Sequence, residues 1–117
     1  MLINVIRANW RRSGPIPKYD ITVIYRPMRF QFDDNKNREV RKNHGVSLEE
    51  AREIFDQTHI IDRKNDDPEQ FRGIGWCRGN LCSVIFEIRR DPEGEYYRLI
   101  TAWKATQQEE QTYADQV

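Results

Sequence analysis

The chain has no net charge. Nineteen Lys and Arg residues balance nineteen Asp and Glu residues, so no whole-molecule field draws it to nucleic acid, and any such binding must come from a local patch. It also lacks an apolar run long enough to span a membrane. The opening "MLINVIRANWRR" has too short an apolar core for a secretory signal, and Trp10, Arg11 and Arg12 follow it in place of a small-residue cleavage site. A soluble, cytoplasmic protein is the expectation. Cysteine is scarce: Cys77 and Cys82 have four residues between them and no second pair, a spacing that argues against a zinc site. In a reducing compartment they read as reduced thiols packed side by side, and if oxidised as a pair able to form a disulfide. No metal and no cofactor are expected, and no internal repeat, low-complexity run or linker interrupts the chain.

What is present is one domain's worth of patterned sequence, 117 residues with 32% charged residues, long enough to bury a core. Two short apolar runs, Leu2 to Ala8 and Ile21 to Tyr25, flank the Gly- and Pro-bearing loop "NWRRSGPIPKYD" and predict an N-terminal β-hairpin within residues 1–28. "RFQF" follows as a short strand. "DDNKNREVRKNHG" predicts a helix that Asp33 caps and Gly45 ends, with Val40 its one aliphatic residue. "SLEEAREIFDQ" predicts a second helix with the capping box Ser47 and Glu50.

"DRKNDDPE" reads as a polar loop. Three strands then follow, about Phe71 to Arg78, Leu81 to Arg90 and Glu95 to Trp103. The first pair is joined by a two-residue Gly79-Asn80 turn that sets Cys77 opposite Cys82, and the second by "DPEG" as a type I turn. Thr106 and Glu109 form another capping box, which opens a C-terminal helix to about Asp115. The fold class is α+β: an antiparallel meander, two helices before it and one after.

From Arg29 onward the chain resembles the BrnT family of bacterial type II toxins. That family opens with F-x-W-D-x-x-K, runs through a polar helix to K-H-G-V and continues with F-x-E-A. The stretch here is "FQFDDNKNREVRKNHGVSLEEA", in which Phe30, Asp33, Lys36, His44, Gly45, Val46, Glu50 and Ala51 match. The family's close is similar to R-I-I-S-A-R-x-A-x-x-x-E-x-x-x-Y. Here "RLITAWKATQQEEQTY" keeps Arg98, Ile100, Ala102, Ala105, Glu109 and Tyr113. The departures are Gln70 and Trp103, where the family usually has Arg, Asn43, which replaces a Lys, and Phe32, which replaces a Trp without consequence.

Residues 29–117 are therefore read as a BrnT-like domain. Residues 1–27 have no counterpart in the family pattern, and Met28 is a candidate start. The resemblance implies a fold similar to RelE-type ribonucleases and a metal-independent ribonuclease that inhibits growth or translation. It also implies an RNA substrate, a DNA-binding BrnA-like antitoxin as partner, and a homodimer or toxin–antitoxin heterotetramer as assembly.

Cleavage by the ribose 2′-hydroxyl needs a base, sometimes an acid, and cations for the phosphorane charge. Arg serves best as that cation. The resemblance carries Arg98, Glu109, Tyr113 and His44 as catalytic candidates, with Lys104 beside them. Each residue has a plainer reading. Arg98, read as alternating with Ile100 and Ala102, is either a phosphate ligand or a solvated strand arginine. Lys104 either reaches a phosphate or is simply exposed. Glu109 is either a base or the third position of its capping box. Tyr113, one turn on, either orients substrate or packs on the sheet. His44 sits at a helix C-terminus, where the dipole favours its charged form, and either exchanges protons or packs.

Lys36, Arg38, Arg41 and Lys42 make a local basic helix face, read as an RNA-binding patch or a solvated surface. Losing cations at 70 and 103 leaves a second reading open: a BrnT-like binding module with weak or no catalysis. Trp103 would then cover the seam between sheet and last helix.

Overall fold

The computed structural model describes residues 4–6, 21–23 and 28–117. Strand β1 (Asn4–Ile6) pairs antiparallel with β2 (Ile21–Val23), Val5 opposite Thr22. The expected loop over residues 9–20, and the outer ends of the expected hairpin, lie outside the described residues.

Strand β3 (Arg29–Gln31) leads into α1 (Asp34–His44). Asp33 caps α1 by accepting the Lys36 amide at 2.9 Å. Gly45 ends it at φ 75°, its N–H reaching the Arg41 carbonyl, a backbone conformation that glycine adopts without a Cβ penalty. Only Val40 of this helix is buried, as its single aliphatic residue requires. The second helix is shorter than expected. The Ser47–Glu50 capping box opens α2 (Leu48–Ala51), and the chain then tightens into a 3-10 turn over Arg52–Asp56. That turn presses Ile54 and Phe55 onto glycines of the sheet: a Cβ at Gly75 would meet Ile54 Cβ at 3.0 Å, and one at Gly73 would meet Ile54 Cδ1 at 3.1 Å.

Four antiparallel neighbours follow: β4 (His59–Asp66), β5 (Glu69–Cys77), β6 (Asn80–Asp91) and β7 (Gly94–Lys104). The sheet order is β3-β7-β6-β5-β4. Two expectations are corrected here. The sheet is mixed rather than wholly antiparallel, because β3 runs parallel to β7 with Gln31 beside Arg98. And "DRKND", residues 62–66, is not a loop but most of β4. Its polarity reflects an edge position, with Ile60 and Ile61 buried at one end, residues 64–66 exposed at the other, and a bulge between Arg63 and Asn65.

The β5–β6 turn is also shifted. Its two central residues are Arg78 (φ 51°) and Gly79 (φ 83°), with Cys77 opposite Asn80. Two successive left-handed residues match the twist of the flanking strands. Cys82 therefore lies opposite Gly75, diagonal to Cys77, and both thiols are buried and free.

Between Ile85 and Phe86 the β6–β7 register slips, so β7 bulges at Ile100: Phe86 faces Leu99 while Ile85 faces Thr101. A bulge reverses the side-chain alternation beyond it. Tyr97, Leu99 and Ala102 all point into the core beneath the first two helices. There Phe86 and Tyr97 stack at 4.5 Å, and Phe55 meets both edge-on at 5.2 and 5.1 Å. The opposite face carries Arg98, Thr101 and Trp103, and α3 (Gln107–Gln116) covers one end of it.

Candidate active site

The face opposite the core is polar at its open end. Arg98 of β7 is in register with Glu87 of β6. Gln70 of β5 donates to Glu87 Oε2 at 2.9 Å, and Asn65 of β4 donates to Gln70 Oε1 at 3.0 Å. Four strands thus contribute one continuous row: Asn65, Gln70, Glu87, Arg98. Arg89 adds two contacts to Glu87 Oε1, at 3.0 and 2.5 Å. The Gln70 hydrogen bond, set against partial burial and joined by Arg89 and the charge of Arg98, holds the Glu87 carboxyl below its ordinary range. No hydrogen bond or ion pair to a described residue engages the Arg98 guanidinium. Arg98 also borders an open groove of about 370 Å³ at the sheet edge, shared with Asp33, Asn35, Lys36 and Glu39 of the α1 entrance and with Leu99 and Ile100.

The other end of this face is closed by α3. Its Glu109 is 6% exposed, and its carboxylate is fully engaged. Oε1 accepts the Thr106 amide and the Trp103 indole N–H, each at 2.9 Å, and Oε2 accepts Arg72 Nη1 at 3.2 Å. Arg72 bridges onward to Asp62 of β4. Burial disfavours the charged form of Glu109, but the Thr106 and Trp103 hydrogen bonds and the Arg72 charge outweigh it and lower the pKa. Tyr113, one turn along, is buried and donates to the Thr58 carbonyl at 3.1 Å; burial raises its pKa. Glu109 is thus the third member of the Thr106 capping box, and Trp103 seals the seam between sheet and helix.

The candidate residues are not gathered at one point. Arg98 does not alternate with Ile100 and Ala102 as the sequence suggested, because the bulge puts it on the face of Trp103. Lys104, by the same reversal, is on the core face opposite Cys82. Six residues of strand separate it from Arg98, roughly 20 Å. Lys104 instead reaches the end of α1, where a side chain at Gly45 would meet its amine at 3.9 Å, next to the exposed His44. Lys36, Arg38, Arg41 and Lys42 are exposed on α1; Arg38 bonds Asn35 and Arg41 pairs with Glu50 at 3.4 Å. Of these, the structure brings only Lys36 to Arg98, across the groove.

Sequence reading missed Glu87 and Arg72. A signal for Glu87 existed: counting back from the Asp91–Gly94 pair at the predicted turn reaches Glu87 opposite Arg98 before the bulge intervenes.

Residues 32–109 match the family model described as the ribonuclease toxin, BrnT, of type II toxin–antitoxin systems. The chain belongs to the BrnT family. No curated protein matches it. Membership implies an RNA substrate and an antitoxin partner. It also gives meaning to the two substituted positions. Gln70 and Trp103, the positions that the resemblance sets against arginine, both fall on the Arg98 face. In this BrnT protein each is committed to a carboxylate, Gln70 to Glu87 and Trp103 to Glu109. Among the described residues no helix is long and apolar enough to cross a membrane.

Proposed function

We propose that this protein is a metal-independent endoribonuclease of RelE-like fold that arrests growth or translation in the cytoplasm and is neutralised by a BrnA-like antitoxin, as a toxin–antitoxin heterotetramer. The observation that carries the reading is the Arg98 guanidinium, with no hydrogen bond to a described residue, standing in register with a carboxylate that its charge acts on, on an open polar sheet face. A cation of that kind offers a phosphodiester a bidentate ligand. In this reading Arg98 and Lys36 hold adjacent phosphates. Glu109 and Tyr113 act by holding α3 on the sheet. Lys104 and His44, with Arg38, Arg41 and Lys42, give the RNA backbone a second cationic area at the far end of α1.

The test is incubation of the purified full chain with single-stranded RNA in a metal chelator, followed by gel analysis. Expected is cleavage that Arg98→Ala reduces by about 100- to 1000-fold. Intact RNA at high protein concentration sinks the proposal.

One observation favours a second reading, a BrnT-like module of weak catalysis. The side chains at 70 and 103 are neutral and already bonded, so two cations that would stabilise the transition state are missing. Replacing both by Arg then raises cleavage and toxicity sharply. An unmodified chain that is already fully toxic removes this alternative.

A further inference from the structure

The geometry points to Glu87 as the group that takes the proton from the attacking 2′-hydroxyl, a role that rests on the ribonuclease reading above. The Arg98 face carries Asp62, paired with Arg72, and Asp91, paired with Arg29, besides two further carboxylates, Glu87 and Glu109. They are not equivalent. Each spends both oxygens on three donors, Glu109 on Thr106 N, Trp103 Nε1 and Arg72 Nη1 and Glu87 on Gln70 and two nitrogens of Arg89, but Glu109 is buried beneath α3. Glu87 sits in the uncovered part of the face, its side chain 15% exposed, directly across the ladder from Arg98. Opposed side chains in such a pair lie within roughly 5 Å at Cβ. A phosphodiester on the guanidinium would thus place its 3′ ribose beside this carboxylate.

The surroundings orient this carboxylate while holding its pKa below the ordinary range. Gln70 and Arg89 fix the carboxylate by donating to it from either side, so its orientation is set before substrate arrives. Gln70 is neutral, where the family's usual arginine would add a charge and make the carboxylate less basic. In the step, the 2′ proton moves to Glu87 and the 2′ oxygen bonds to phosphorus. The bond from phosphorus to the 5′ oxygen breaks, and that oxygen takes a proton from solvent water. The products are a 2′,3′-cyclic phosphate and a 5′-hydroxyl.

The test uses the full chain and compares wild type with Glu87→Gln and Glu87→Asp. Three readouts are taken: single-turnover cleavage across pH, affinity for a 2′-O-methyl RNA that cannot react, and thermal melting. Glu87→Gln is isosteric. Expected is a fall in cleavage of about 100- to 10,000-fold, loss of the acid limb of the pH–rate profile, unchanged affinity for the 2′-O-methyl RNA, and partial recovery of rate and limb in Glu87→Asp. Cleavage by Glu87→Gln at the wild-type rate, or a slower rate with the acid limb intact, overturns the assignment and leaves the ribonuclease reading standing. A wild-type chain that cleaves no RNA overturns both.

Discussion

The indole Nε1 of Trp103 donates to Oε1 of Glu109 at 2.9 Å, and the same oxygen accepts the amide of Thr106, the residue that starts α3. One carboxylate therefore caps a helix and fastens it to the last strand. A Trp among charged residues at a strand-to-helix junction is explained by this contact: its ring fills the seam and its single donor finds a buried acceptor.

Thr106→Ala removes the hydroxyl that accepts the Glu109 amide at 3.1 Å. It is expected to cost about 1 kcal/mol of stability. Trp103→Phe keeps the ring packing and removes the donor, at a cost of about 1–2 kcal/mol. Urea unfolding curves measure both, and unchanged midpoints would show that α3 is not held by this junction.

Arg72 lies between Asp62 and Glu109, ties β4 to α3 through β5, and has its own pKa raised first of all by the Asp62 hydrogen bond. Arg72→Met leaves the nearly buried Glu109 carboxylate with one fewer cation and is expected to destabilise by roughly 3 kcal/mol. The double variant with Glu109→Gln should recover part of the loss, because no uncompensated charge then remains. Equal melting of the single and double variants would refute that coupling.

His59 is buried, with Nδ1 2.7 Å from the Gln57 carbonyl and Nε2 without a partner in the described structure. Burial pushes its pKa from 6.5 down to about 4, against a smaller opposing effect of the Gln57 carbonyl. The folded state thus binds fewer protons than the unfolded one between those values. The stability is fully present above the unfolded pKa and is lost as pH falls toward the folded pKa, by up to about 3 kcal/mol across the window. Denaturation midpoints at about pH 7 and about pH 5 should differ in the wild type and converge in His59→Phe. A wild-type midpoint that stays constant over this range would rule out the linkage.

Gly75 receives Ile54 and His59 at distances a side chain cannot share: a Cβ would lie 3.0 Å from Ile54 Cβ and 3.1 Å from His59 Cβ. Gly75→Ala is expected to cost about 1–3 kcal/mol through overpacking. Gly79→Ala meets no atom within 4 Å but must hold φ 83°, so its cost is backbone strain alone. Melting temperatures measure both costs, and a Gly75→Ala variant that melts with the wild type would show that the close approach of Ile54 and His59 is not filled.

Local chemistry made several elements readable in advance. Asp33, Ser47 with Glu50, and Thr106 with Glu109 mark helix starts because a side chain three residues from its amide partner satisfies it within one turn. Gly45 marks an end for a similarly local reason. Strand β4 was hidden because an edge strand has water on one side, which leaves its polar residues without the alternation that betrays a half-buried strand. The Arg78–Gly79 turn was misplaced by one residue because both registers put glycine at a left-handed position.

By itself the sequence determined the helix starts, the polar character of α1, the presence of a strand-rich C-terminal half and the family resemblance. All of these rest on residues close along the chain or on motifs in order. Only the tertiary structure decided which side chains share a face. The bulge at Ile100 reverses every side chain of β7 beyond it, sending Arg98 and Trp103 to one side of the sheet and Lys104 to the other. That slip follows from how β6 and β7 pack together, and no residue type in the strand announces it.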